Sequence, residues 1–220
     1  MKVSIKGLIE IAGHEGLCQT KYRDSVGVWT IAVGATKSEI PDLATWPMDK
    51  KLTIQECFDL FQRSIKKYAD AVDKAVKRPL QQYEFDALVS WCYNVGPGWL
   101  KSASVIKKIN AGESGQSLYD ALMMFKKPVE IIPRRKKEAM LLAFGNYDFG
   151  GSNLVNVFPV SAMGKPLYRN GYNIDLLQYL KMENPVPQVS PRDFESTKIN
   201  PDAKVNLVDK VVDFLKSYGI

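Results

Sequence analysis

Two carboxylates, Glu15 and Asp24, stand nine positions apart, and a threonine, Thr30, follows six positions later. Hydrolysis of a glycosidic bond uses such a pair. One carboxyl gives a proton to the departing oxygen, while the other stays ionised on the opposite face and draws a proton from the attacking water. Unequal surroundings keep one member protonated and the other charged. A threonine hydroxyl both donates and accepts, so it can hold that water beside an ionised aspartate. Spacing alone does not single out this pair among 24 acidic residues; two solvated surface carboxylates would read the same way. The lone histidine, His14, immediately precedes Glu15 and is either a tuning contact or incidental.

The elements around these residues are legible from periodicity. Ile5, Leu8, Ile9 and Ala12 at helical spacing predict a short amphipathic helix over 3–13, ending near Gly13 or Gly16 and placing Glu15 at its end. From 21 to 36 the texture changes to Tyr22, Val26, Val28, Trp29, Ile31 and Val33, broken by Gly27 and Gly34, which predicts a small hairpin with Asp24 at its first turn. Thr53-Ile54-Gln55-Glu56 is a capping box. It opens a helix whose apolar positions, from Cys57 to Val76, keep the 3.6-residue period long enough to bridge two lobes. A further helix follows Pro79 and stops at Asn94-Val95-Gly96-Pro97-Gly98, and shorter ones are predicted at 102–110, 114–126 and 134–144. Beyond Gly145 the character shifts. Half of the 12 prolines fall between Pro159 and Pro201, Gly150-Gly151-Ser152-Asn153 reads as a linker or turn, and helices are predicted at 173–182 and 205–218.

The frame around the acids is more specific than their spacing. His14-Glu15-Gly16-Leu17, then Tyr22-Arg23-Asp24-Ser25-x-Gly27-x-Trp29-Thr30-Ile31-x-x-Gly34, resembles the active-site segment of phage-type lysozymes (endolysins), glycoside hydrolase family 24. Trp91-Cys92-Tyr93-Asn94-Val95-Gly96 is similar to that family's aromatic-Asn-x-Gly helix end, and Pro133-Arg134-Arg135-Lys136-Lys137-Glu138 to its Arg-rich helix start. The resemblance spans roughly residues 5 to 145. It implies an α+β, mostly helical, two-lobed fold with a small β-hairpin lobe, a long connecting helix and a helical C-terminal lobe. It also implies Glu15 as general acid, Asp24 as the carboxylate that activates water, and Thr30 as the hydroxyl that holds it. Family enzymes are regarded as inverting, which asks for roughly 6.5 to 9.5 Å between the carboxyls. Arg135 matches an arginine that pairs with the catalytic glutamate, with Arg134 as the competing register; Asn94 is expected to support the site. Tyr22 and Trp29 either line the sugar site or belong to the core of the small sheet. Where the family commonly has Gly-x-Gly-His, this chain reads Ala32-Val33-Gly34-Ala35, a departure that bears on lobe packing more than on chemistry.

Bulk properties narrow the remaining classes. The net charge of +6 suits a polyanionic partner, and most of the excess lies before residue 150. Lys and Arg are scattered along amphipathic helices without a nucleic-acid-binding module, so no nucleic-acid partner is expected. Cys18, Cys57 and Cys92 lack metal-site spacing and are expected to be buried free thiols, with no metal or organic cofactor. No segment reads as a signal peptide or a membrane span. The expected organisation is a lysozyme-like catalytic domain over 1–148 and a C-terminal extension over 149–220 packed on it. The expected partner is the peptidoglycan glycan strand, met by a monomer without stable membrane insertion. Such a protein waits in the host cytoplasm and reaches the wall at lysis through a holin-type pore. A lytic transglycosylase and a non-catalytic wall-binding phage structural protein are the rival readings.

Overall fold

The computed structural model describes residues 1–147 and 153–178. The helix expected at 205–218 lies outside the described residues. The chain begins with helix α1 (Ile5–Glu15), whose N-cap Ser4 accepts from the Gly7 amide at 3.0 Å. Ser4 also donates to Asp86 at 2.5 Å, which ties the start of α1 to a later helix. Strands β1 (Cys18–Arg23) and β2 (Trp29–Ala32) then form the expected antiparallel hairpin, with Tyr22 opposite Thr30 and Arg23 opposite Trp29.

Helix α2 (Ile54–Ala75) starts at the predicted capping box: Thr53 Oγ1 accepts from the Glu56 amide, and Glu56 accepts from the Thr53 amide at 2.7 Å. Its stripe of Cys57, Phe58, Phe61, Ile65 and Val72 is buried. Each such side chain contributes about 1.5–3 kcal/mol by leaving water. Helix α3 (Gln82–Val95) packs against α2 and α1, while α2 also touches the hairpin, so α2 is the bridge its length suggested. Helices α4 (Ser104–Asn110), α5 (Gln116–Leu122) and α6 (Ile132–Phe144) close the helical part around Trp91, Leu88 and Leu142.

The region after residue 152 differs from its sequence reading. Strands β3 (Leu154–Val157) and β4 (Tyr172–Asp175) pair antiparallel, with Val155 opposite Ile174. The helix expected over 173–182 is therefore a strand at its start, and helical backbone begins only at Leu176. Leu176 and Leu177 supplied the helical spacing, but Ile174 finds a cross-strand partner, and pairing overrides local periodicity. Val155 and Val157 are buried in the same core as α1, with Val157 bridging to Leu17. Met1–Leu180 form one compact unit.

Candidate active site

Glu15 is the last residue of α1. Gly16 caps the helix at φ 73°, and a Cβ there would lie 2.5 Å from the Phe158 ring, so glycine is required twice over. The chain then turns directly into β1, held by the Leu17 amide donating to the Asn156 carbonyl at 2.8 Å. The Glu15 carboxyl projects from a helix end whose direction is fixed on both sides.

Its partner is Arg134, whose guanidinium donates to Glu15 Oε1 at 2.5 Å. The register left open in the sequence is thereby decided against Arg135. Arg135 is fully buried and forks instead to Glu138, to Asn94 Oδ1 at 2.6 Å and to the Phe125 carbonyl at 2.9 Å. The two arginines are neighbours on α6, so their side chains leave the helix about 100° apart, and only one can face the end of α1. Arg134 also donates to Glu138 at 2.9 Å and to the Ser90 carbonyl at 3.2 Å. Burial works against the charge of Arg134, and Glu138 and Glu15 more than offset it, leaving its pKa raised. For Arg135, burial and the charge of Arg134 outweigh Glu138, and its pKa is lowered. Arg134 is thus shared between Glu138 and Glu15.

Asp24 sits at the turn between β1 and β2, where its Oδ1 accepts from the Val26 and Val28 amides at 3.0 and 2.8 Å. Among the described residues, Oδ2 has no protein hydrogen-bond partner. Thr30 is buried, and its hydroxyl donates to the Val28 carbonyl at 3.2 Å, which leaves its lone pairs to accept. Both carboxylates act on Tyr22: burial raises the pKa of its hydroxyl, and the charges of Cys18, Tyr168, Glu15 and Asp24 raise it further. Tyr22 stands opposite Thr30 in the hairpin, two residues before Asp24.

Tyr22 and Trp29 are both partly buried. Lys21 Nζ and the Arg23 guanidinium lie over the Trp29 ring at 4.4 and 4.2 Å, and Gly164 packs on its edge. His14 Nε2 lies 3.2 Å from Glu10 Oε1, at an angle that makes no hydrogen bond, so it attends Glu10 and not Glu15. The three cysteines are buried and unpaired, and burial pushes each thiol up to about 12, which removes them as nucleophiles. Among the described residues no group of three or more His, Cys, Asp or Glu side chains is arranged to hold a metal.

Sequence reasoning missed Glu138 and Ser90. Ser90 donates to Glu138 at 2.7 Å, completing a network that runs from the exposed Glu15 through Arg134 to the buried Glu138 and Arg135 and on to Asn94. The available signal was the i to i+4 spacing of Arg134 and Glu138 on one helix face.

A glutamate at the end of α1, an aspartate at the turn of the hairpin that follows, and a long helix α2 joining that hairpin to the helical part together make the architecture of a lysozyme. The sequence profile of the phage lysozyme family matches residues 12–138, and the chain belongs to that family. It is 29% identical over 145 residues to an endolysin of Salmonella phage P22, covering 64% of this chain and 97% of that protein. A SAR-endolysin of Pseudomonas phage phiKMV is 32% identical over 127 residues, covering 58% of this chain and 72% of the relative. The solved endolysin from Escherichia coli O157:H7 phage FAHEc1 superposes with a TM-score of 0.60 at 32% identity, covering 67% of this chain and 96% of that one.

Proposed function

We propose that Glu15, Asp24 and Thr30 carry the hydrolysis of peptidoglycan by this chain. As a phage lysozyme family member it is a muramidase of endolysin type, acting on the bond between N-acetylmuramic acid and N-acetylglucosamine in the host cell wall. The observation that carries the residue assignment is the division of labour between the carboxyl oxygens. Glu15 spends Oε1 on Arg134, and Asp24 spends Oδ1 on two backbone amides, so each keeps one oxygen for chemistry.

In the proposed step Glu15 delivers its proton to the glycosidic oxygen as the bond to the anomeric carbon breaks. A water donates one hydrogen to Asp24 Oδ2 and the other to Thr30 Oγ1, which points its lone pair at that carbon. The new C–O bond forms as Asp24 takes the proton, and the enzyme is restored when Asp24 releases that proton to solvent and Glu15 takes one from solvent. Attack from the face opposite the leaving group gives inversion. Product analysis tests this against transglycosylation: reducing ends of inverted anomeric configuration are expected, and anhydro-sugar ends would defeat it. Glu15→Gln, which keeps the Arg134 contact but cannot protonate the leaving group, is expected to reduce clearing of permeabilised Gram-negative cells by at least about a thousandfold.

No helix among the described residues is long and apolar enough to cross a membrane. Access to the wall is proposed to come from a pore formed by another phage protein, the chain acting as a monomer. Lysis by this chain expressed alone in intact cells would overturn that route.

A further inference from the structure

Resting on the lysozyme reading above, we propose that Tyr168 is a glycan-stacking residue beside the end of α1 that carries Glu15, presented by the β3–β4 connection that lies beyond the span matched to the family. Three backbone hydrogen bonds seat this connection on the catalytic segment. The Leu17 amide donates to Asn156, the Phe158 amide donates to Leu17, and the Arg23 amide donates to Gly164, each at 2.8 Å. The first two lie just after Glu15 and the third just before Asp24, so residues 156–164 bracket both candidate catalytic acids.

Tyr168 is fixed to that frame. Its ring meets Phe158 edge-on, with centroids 5.1 Å apart, and the Phe158 ring presses on Gly16, the residue after Glu15. Yet Tyr168 remains 69% exposed. Neither aromatic expected from the sequence to line the site is as open: Tyr22 and Trp29 are both partly buried. An exposed aromatic ring held through Phe158 against the residue that follows Glu15 suits the apolar C–H face of a hexosamine ring, and it costs little conformational freedom because hydrogen bonds from Leu167 to Pro159 and from Gly171 to Tyr168 hold its backbone.

The test separates binding from turnover. In the full-length Glu15→Gln background, the dissociation constant for purified soluble peptidoglycan fragments is measured with Tyr168 intact and as Tyr168→Ala, Tyr168→Phe and Tyr168→Trp. Tyr168→Ala is expected to weaken binding about tenfold, with Phe and Trp retaining it. In the active enzyme the same Ala change is expected to raise KM about tenfold while kcat stays within about twofold and Tm is unchanged. An unchanged dissociation constant for Tyr168→Ala overturns the proposal, as does a loss that tracks a fall in Tm or one that Phe and Trp fail to rescue. Full activity of Glu15→Gln would instead overturn the catalytic assignment, and the binding comparison would still decide the role of Tyr168.

Discussion

At the scale of single residues, Arg134 and Arg135 show how one helix start does two jobs. Both are arginines and both touch Glu138, but Arg134 reaches on to Glu15, whereas Arg135 is sealed among Glu138, Asn94 and a main-chain carbonyl. Lysine concentrates its three donors on one nitrogen at the end of a flexible stem, so it cannot reach acceptors spread around a planar guanidinium in their fixed directions. Arg135→Lys is therefore expected to cost about 2–4 kcal/mol, a fall in Tm of roughly 5–10 °C for a chain of this size, with modest loss of specific activity. Arg134→Lys is expected to invert that pattern: a small change in Tm and a clearing rate lower by about tenfold or more, because Glu15 loses its orientation. Parallel thermal melts and turbidity assays on the two variants check this, and equal profiles would contradict it. The sequence presents Arg134 to Lys137 as four consecutive cations, and nothing local says which one faces the cleft. That is set by the rotation of α6 against Ser90 and Asn94 on α3, a tertiary quantity. Glu15, Asp24 and Thr30 were readable because they sit within one short segment whose glycines and turn residues fix local geometry.

At the scale of elements, the hairpin depends on a close approach to α3. Gly34 has φ 88°, and a Cβ placed on it would lie 2.8 Å from the Tyr93 hydroxyl, which donates to the Val33 carbonyl. Gly34→Ala combines left-handed strain with that collision and is expected to cost about 2–4 kcal/mol. Gly112 also has a positive φ, 84°, but meets nothing within 4 Å, so Gly112→Ala isolates the conformational part at about 1 kcal/mol. Adding Tyr93→Phe to Gly34→Ala removes the colliding oxygen and is expected to recover part of the difference. Denaturant titration of the four proteins measures it, and equal losses at the two glycines would show that the contact carries no weight. Helix α2 was legible to within a residue because its cap and stripe are both local patterns. Strands β3 and β4 were not. Each is four residues long, their pairing joins residues about twenty apart, and a short alternating run such as Leu154 to Val157 carries little signal until its partner is known.

At the scale of the whole molecule, residues 153–178, beyond the family match, pack on α1 and the hairpin. Val155 is fully buried and Val157 nearly so, in the cluster that also holds Ile9, Ile11 and Leu17. The Arg23 amide and the Leu17 amide both take partners from residues beyond 152. A chain cut after Tyr147 would expose Leu17, open the edge of α1 and leave two backbone amides beside the catalytic acids without their protein acceptors. Burial of two valines and a leucine is by itself worth about 4.5–9 kcal/mol, a large part of the 5–15 kcal/mol that holds an ordinary domain together. The trimmed chain is therefore expected to melt at least about 10 °C below the full chain and to lose clearing activity in step. Calorimetry and turbidity on the two lengths measure this. A trimmed chain that melts with the full chain's midpoint would mean that the matched 12–138 core is self-sufficient here and that β3 and β4 add nothing to its stability.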